Sequence, residues 1–280
     1  MSLKESALVG ASRLLRSAVH ILGPQRGDLV SAYLAEQMAP TVRKRTPVGL
    51  IKFFCPGALP EWRARTLLTK EPETLEWIDR FSAGDVLWDI GANVGVYSLY
   101  AAFRKVRVLA FEPSAPNYYV LNRNIEINEL DSQISAYCLA FSDETGLDVF
   151  YMLNTTLGGA MNSFGEQVDW EGKPFKAETR QAMIGYTIDD FLQNFQVDFP
   201  THMKIDVDGI ENKIIVGAKQ TLSDSRLKSL LVELDSARPD YCSSVIRTIE
   251  SAGMKFVEKR HAPMFDNSRY AACFNYFFAR

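Results

Sequence analysis

The apolar positions of this chain change regime near residue 80. Beyond it, short apolar runs alternate with stretches of helical spacing. Val86-Leu87-Trp88-Asp89-Ile90 reads as a buried strand, followed by a helix over about 94–104. Val106 to Phe111 predicts a second strand and residues 115–129 a second helix. Strands follow near 133–141, 201–206 and Leu227–Leu234, with helices over 209–222 and 242–252. Such alternation predicts an α/β fold with a mostly parallel sheet covered on both faces by helices. Two closing strands near 254–259 and 272–279 have no helix between them, which predicts an antiparallel hairpin at the sheet edge.

Ahead of residue 80 the pattern is different. Leu8, Ala11, Leu15, Ala18, Val19 and Leu22 share one stripe of a helix over residues 5–22. Such a helix packs on the body of the protein or on a second subunit, or docks to a membrane surface or partner complex. An irregular stretch follows, punctuated by Pro40, Pro47, Pro56, Gly57 and Pro60. Glu71-Pro72 then opens a short helix reaching about Phe81, because proline is well tolerated in a first helical turn. Residues 1–80 are therefore expected to be a helical extension and cap, and residues 81–280 the main domain. Residues 153–186 show no convincing periodicity, and a loop of that length in a compact domain is either disordered or functional.

Composition narrows the class. With 31 basic and 34 acidic residues the 280-residue chain carries a net charge of −3, so no overall basic field attracts nucleic acid. The four cysteines, Cys55, Cys138, Cys242 and Cys273, are far apart and form neither a metal pair nor a disulfide framework. A reducing, cytoplasmic setting is expected. No stretch approaches the ~20 apolar residues that cross a bilayer, so no transmembrane segment is expected. Arg13 and Arg16 interrupt any signal-peptide core.

The chemistry concentrates at predicted strand ends, where open α/β sheets bind ligands. The first end reads Asp89-Ile90-Gly91-Ala92-Asn93-Val94-Gly95. Gly91 and Gly95 let the backbone turn sharply, and the following helix start offers N–H groups to an anion. Asp89 can meet a cationic amine, so a ligand with both an amine and a carboxylate fits. The second strand ends in Glu112, which can accept from two ribose hydroxyls, and Ser142-Asp143 stands where an adenine edge would lie. A dinucleotide site competes, but its third glycine is absent.

These residues carry a resemblance. Asp89 through Ser98, and Glu112-Pro113 with Asn117, Leu121, Asn124 and Asn128 behind it, resemble the nucleotide-binding motifs of FkbM-type methyltransferases. Thr187-Ile188-Asp189-Asp190-Phe191 and Lys204-Ile205-Asp206-Val207-Asp208-Gly209 are similar to later motifs of that family, which more often has glutamate at the position of Asp208. The resemblance implies a class I, Rossmann-like sheet, S-adenosyl-L-methionine as methyl donor, and a hydroxyl acceptor on a glycan, sugar or polyketide-type natural product. Alternatives are a methyltransferase-like binding subunit of a biosynthetic complex, and N-methylation.

Methyl transfer to an alcohol calls for a proton acceptor or a metal. The end of the fourth strand offers Asp206 first, with Asp208 and Glu211 behind it, and Lys204 to stabilise an alkoxide or to pair with a neighbouring acid. Glu233 is a further acceptor contact, and His261 a further base. Asp206, Asp208 and Glu211 match no metal-loop spacing, and no metal is expected. In the long loop, Asn162, Ser163, Phe164 and Trp170 suit a sugar, whose faces stack on rings while its hydroxyls need hydrogen bonds. Oligomeric state is open, with a homo-oligomer or docking through the N-terminal helix as the expectations.

Overall fold

The computed structural model describes residues 10, 11, 13, 14, 17–19, 21–38 and 40–280. The helix expected over 5–22 lies largely outside the described residues. Among the described residues, no helix is long and apolar enough to cross a membrane. The chain divides into two compact units at Pro40/Thr41. The first contains α1 (Pro24–Gln37), opened by proline in its first turn.

The second unit is built on a seven-stranded sheet. Its parallel part comprises β3 (Val86–Ile90), β4 (Arg107–Phe111), β5 (Ile134–Tyr137), β10 (His202–Ile205) and β11 (Ser229–Asp235), with β12 (Lys255–Arg260) and β13 (Cys273–Ala279) completing it. The order is β12-β13-β11-β10-β3-β4-β5. Helices α4 (Val96–Phe103), α5 (Ala115–Ile127), α7 (Glu211–Val216), α8 (Lys219–Ser223) and α9 (Pro239–Ser251) make the crossovers. β13 runs antiparallel to both β11 and β12, which is the expected closing hairpin of a class I sheet. The strands read as apolar runs because both faces are covered: every residue of β3 and β10 is buried. The chain leaves β3 toward β4 and β5 on one side, and returns to β10 and β11 on the other. This reversal opens a crevice between the carboxyl ends of β3 and β10.

Two segments are more regular than their sequence suggested. The stretch expected to be irregular contains a hairpin, β1 (Thr41–Thr46) with β2 (Gly49–Phe54), and Pro47 sits in its turn. Ile51, Phe53 and Phe54 of β2 are buried. The long loop is also structured. β8 (Asn162–Phe164) and β9 (Thr179–Tyr186) lie within it and join β6 (Ala140–Phe141) and β7 (Gly146–Met152) in a second sheet, ordered β6-β9-β7-β8. Only Met183 and Gly185 of β9 are fully buried, so its alternation is too faint to announce a strand.

Asn124 of α5 and Asn128 at its C-cap fasten the hairpin to the body of the domain. Asn124 accepts from Phe54 N at 2.6 Å through Oδ1 and donates through Nδ2 to Val94 O at 2.8 Å. One turn on, Asn128 accepts from Lys52 N at 2.9 Å and donates to Lys52 O at 2.7 Å. The edge of β2 is thus paired by side-chain amides, the peptide-like groups best able to substitute for a neighbouring strand.

Asn124 is fully buried, so truncation strands a backbone N–H and a backbone C=O at once. Asn124→Ala should cost about 2–4 kcal/mol, read as a lowered denaturant midpoint at unchanged slope. A loss below about 0.5 kcal/mol, the level of a surface substitution, would show that the hairpin does not depend on this bond.

Candidate active site

A cleft of about 590 Å³ opens at the carboxyl ends of β3, β4, β10 and β11. Its floor is the turn after β3. Gly91 and Ala92 both donate to Phe111 O, at 2.9 and 3.0 Å, which folds the turn back over β4. Gly91, Asn93 and Gly95 all have positive φ. A Cβ on Gly91 would lie 1.9 Å from the backbone oxygen of Asp206, so only glycine allows β10 to end here.

Glu112 lines the cleft from the end of β4. Its Oε2 accepts from Asn93 N and its Oε1 from Ser114 N, both at 2.8 Å. Burial pushes this carboxyl up to about 7, against the two N–H groups that favour its charge. Two N–H donors occupy about half the lone-pair positions of a carboxylate, and the rest are available to hydroxyl donors. Beside Glu112 the wall is apolar, with Phe111, Leu139, Phe141 and Ile214.

The roof is a strap at Gly158-Gly159. Asn117 accepts from Gly158 N at 2.8 Å and donates to Gly159 O at 3.0 Å. Asn93 donates to that same carbonyl at 2.8 Å. Arg63, on α2 (Ala58–Thr66), donates to Gly158 O at 2.8 Å.

Charges collect at the far end. Lys204 pairs in register with Asp89 on β3, and its buried ammonium donates to Asp206 Oδ2 at 2.5 Å. Burial alone would lower Lys204, but the carboxylates of Asp206, Glu71 and Asp89 lift it above its ordinary value. Burial alone would raise Asp206, and the Lys204 ammonium instead holds it below the usual carboxylate range. Glu71, at the N-cap of α3 (Pro72–Ile78), pairs with Lys70. Glu233, without such a partner, is raised by burial and by the charges of Asp206 and Glu71.

The structure sorts the expected residues. Gly91, Asn93, Glu112, Asn162, Phe164, Asp206, Asp208 and Glu233 line the one cleft. Asp89 does not. It is 1% exposed, its Oδ2 accepts from Ser98 at 2.5 Å, and its Oδ1 is buried without a partner. It faces Lys204 beneath the floor and is not poised to meet a ligand amine. Gly95 starts α4 and serves the turn. Ser142 and Asp143 are absent from the lining, because Ser142 N is bonded to Tyr186 O in the second sheet and Leu139-Ala140-Phe141 form the wall.

Two acids expected to react are engaged by groups of the surrounding backbone and by Tyr241. Glu211 accepts from Gly209 N at 2.9 Å and from the Tyr241 hydroxyl at 2.7 Å, outside the cleft. Asp208 has φ of 62° and accepts from Met161 N at 2.6 Å, tying the start of β8 down. Burial, then the charge of Asp206, raises its carboxyl to about 6. Ser163 is buried outside the cleft with an unpartnered hydroxyl. Trp170 also lies outside the lining, its ring against Tyr270 with centroids 5.7 Å apart, and Tyr270 is the aromatic that reaches the cleft.

Sequence reasoning missed Arg63, Lys70, Glu71, Tyr270 and Asn275, all in the lining. The Glu71-Pro72 helix start was visible, but not that it caps this cleft. His261 is in the lining, 3.0 Å from Asp266 and stacked on Phe274. His202 lies at the other end of its strand, between Asp85 and Ser229.

The family model described as the methyltransferase FkbM domain matches residues 89–256. The hexuronic acid methyltransferase AglP of Haloferax volcanii is 25% identical over 163 residues, 58% of this chain and 61% of that one. Methyltransferase sdnD of Sordaria araneosa is 27% identical over 154 residues, 47% of this chain and 60% of that one. The matches thus span about three fifths of the length of these curated relatives. A solved structure, methyltransferase FkbM of Methylobacillus flagellatus, is 18% identical with a TM-score of 0.45, covering 70% of this chain and 44% of that one.

The raised Glu112 carboxyl has a thermodynamic signature. The folded chain holds its proton up to about pH 7, whereas an unfolded glutamate releases it near 4.5. Between those values the folded state binds more protons, so stability falls as pH rises. Relative to Glu112→Gln, the wild type should lose on the order of 3 kcal/mol between pH 4.5 and 7. Parallel stability–pH curves for the two proteins would refute the shift.

Proposed function

Because the chain belongs to the FkbM methyltransferase family, we propose that it transfers a methyl group from S-adenosylmethionine to a hydroxyl of a sugar-containing or natural-product acceptor. The observation that carries this reading is the single cleft shared by the glycine turn, the Glu112 carboxylate and Asp206.

The residues present fit that donor. Glu112 keeps lone-pair positions for ribose hydroxyls after its two backbone bonds, and the wall of Phe111, Leu139, Phe141 and Ile214 offers an apolar slot for a purine. The bare Gly91 backbone leaves room for an amino-acid tail. When bound, S-adenosylmethionine supplies an electrophilic methyl group.

Toward the β10 and β11 side, Asp206 presents an ionised carboxylate that orients an acceptor hydroxyl and receives its hydrogen bond. Lys204 fixes that carboxylate from beneath. Alignment of nucleophile and methyl along one line is the main contribution the protein makes, roughly 7–11 kcal/mol in well-oriented systems. The acceptor end suits a polyol: Trp62, Phe265 and Tyr270 offer ring faces, and Asn154, Asn162 and Glu73 offer hydrogen bonds. Similarity to a hexuronic acid methyltransferase supports a sugar acceptor.

Calorimetric titration with S-adenosylhomocysteine tests the donor site. Glu112→Ala should weaken binding at least tenfold, by loss of charge-assisted bonds worth about 1.5–3 kcal/mol. Unchanged affinity would remove Glu112 from the site. Asp206→Asn should lower turnover about a hundredfold or more while changing that affinity by less than about threefold. Equal losses in both would make Asp206 a binding residue.

A further inference from the structure

Three carboxylates at the acceptor end outnumber the cations that face them. Ile205 of β10 pairs with Val232 of β11, and Glu233 pairs with Asn275 of β13. Asp206, Glu233 and Asn275 therefore form one row across three neighbouring strands, on one face of the sheet. Glu71 meets this row from the start of α3. One oxygen each from Glu71, Asp206 and Glu233 lies within 4.8 Å of the others. Lys204 pairs with Asp206 and Lys70 with Glu71. Among the described residues, Glu233 has no basic group within ion-pair distance.

A second observation is independent of those charges. Asn275 is 2% exposed and lines the cleft. Its Nδ2 donates to Glu73 Oε1 at 3.0 Å, but its Oδ1 is buried with no hydrogen-bond partner. A buried amide oxygen left unpaired calls for an explanation, and what it lacks is a donor or a cation.

We propose that Glu71, Asp206, Glu233 and Asn275 Oδ1 form a binding site for a divalent cation of the magnesium, manganese or calcium kind. The donor set is all oxygen, which selects hard cations over zinc or copper. Of these acids only Asp206 belongs to the run of Asp206, Asp208 and Glu211 whose spacing matches no metal loop; Glu71 and Glu233 reach it through the fold. Asp206 and Glu71 share their carboxylates with lysines, and Glu233 supplies a carboxyl group with no basic group within ion-pair distance among the described residues. Four protein oxygens leave positions open in a shell of six or more. With the cleft read as a transferase site, on which this role rests, the open positions face the acceptor. Two neighbouring hydroxyls of a sugar would fill them, and a coordinated hydroxyl loses its proton more readily.

Binding of manganese to the chelator-stripped full chain tests the site without donor or acceptor present. Loss of the free-ion paramagnetic resonance signal should show one site per chain, which magnesium or calcium displaces. Glu233→Gln should weaken it at least about tenfold, the scale on which metal sites respond to a lost partner, and Asn275→Ala should weaken it severalfold. Each variant is checked by its S-adenosylhomocysteine affinity, since neither residue belongs to the nucleoside end. If Glu233→Gln does not fold, Glu71→Gln replaces it. No binding of any of the three ions at millimolar concentration overturns the proposal. So does manganese binding that survives these substitutions, or one displaced only by an ammonium-bearing sugar and by neither metal. A chain that binds manganese but not S-adenosylhomocysteine would retain the site while failing the methyltransferase reading.

Discussion

The Lys204 ammonium is held beneath the cleft with its side chain 1% exposed, and a charge so buried persists only among counter-charges. Asp206, Glu71 and Asp89 supply them. This one requirement organises the acceptor end. It keeps Asp206 ionised at the cleft surface, and it commits Asp89 to the layer below. It also brings carboxylates close enough together that Glu233 is left without a cation. The glycine turn answers the same geometry from the other side, because Asp206 can approach the floor only where Gly91 has no Cβ.

Amide side chains do the remaining fastening. Asn124 and Asn128 pair the edge of β2, while Asn93 and Asn117 hold the Gly158-Gly159 strap. An amide can give and accept at once, so one residue satisfies both groups of a peptide and fixes its direction. The spacing of asparagines on α5 is thus a scaffold for two segments far away in the chain. That explains why a helix beside the nucleotide turn carries polar residues on its buried side.

The main sheet was legible because each central strand is an apolar run flanked by turn residues, and the glycine turn and Glu112 stand at strand ends where periodicity alone puts them. The second sheet was not legible. β7 and β9 are far apart in the chain, and β9 buries only two residues fully. The first hairpin hid behind Arg43-Lys44-Arg45, an exposed edge whose polarity reads as loop. In the site, sequence exposed carboxylates but not the N–H groups waiting for them. Asp208 and Glu211 are indistinguishable from Asp206 along the chain, yet the first is spent on Met161 and the second on Gly209 and Tyr241. Glu71 and Asn275 enter the site by topology alone, from a helix start and a returning strand that local pattern cannot bring together.

The carbonyl of Gly159 receives hydrogen bonds from Asn93, beside the nucleotide turn, and from Asn117 on the neighbouring helix. Two residues further along, Met161 is tied to Asp208, beside the acceptor end. Donor and acceptor compartments therefore share one short run of backbone. A ligand that holds that run in place on one side holds it for the other as well, so the fold couples the two compartments whichever fills first.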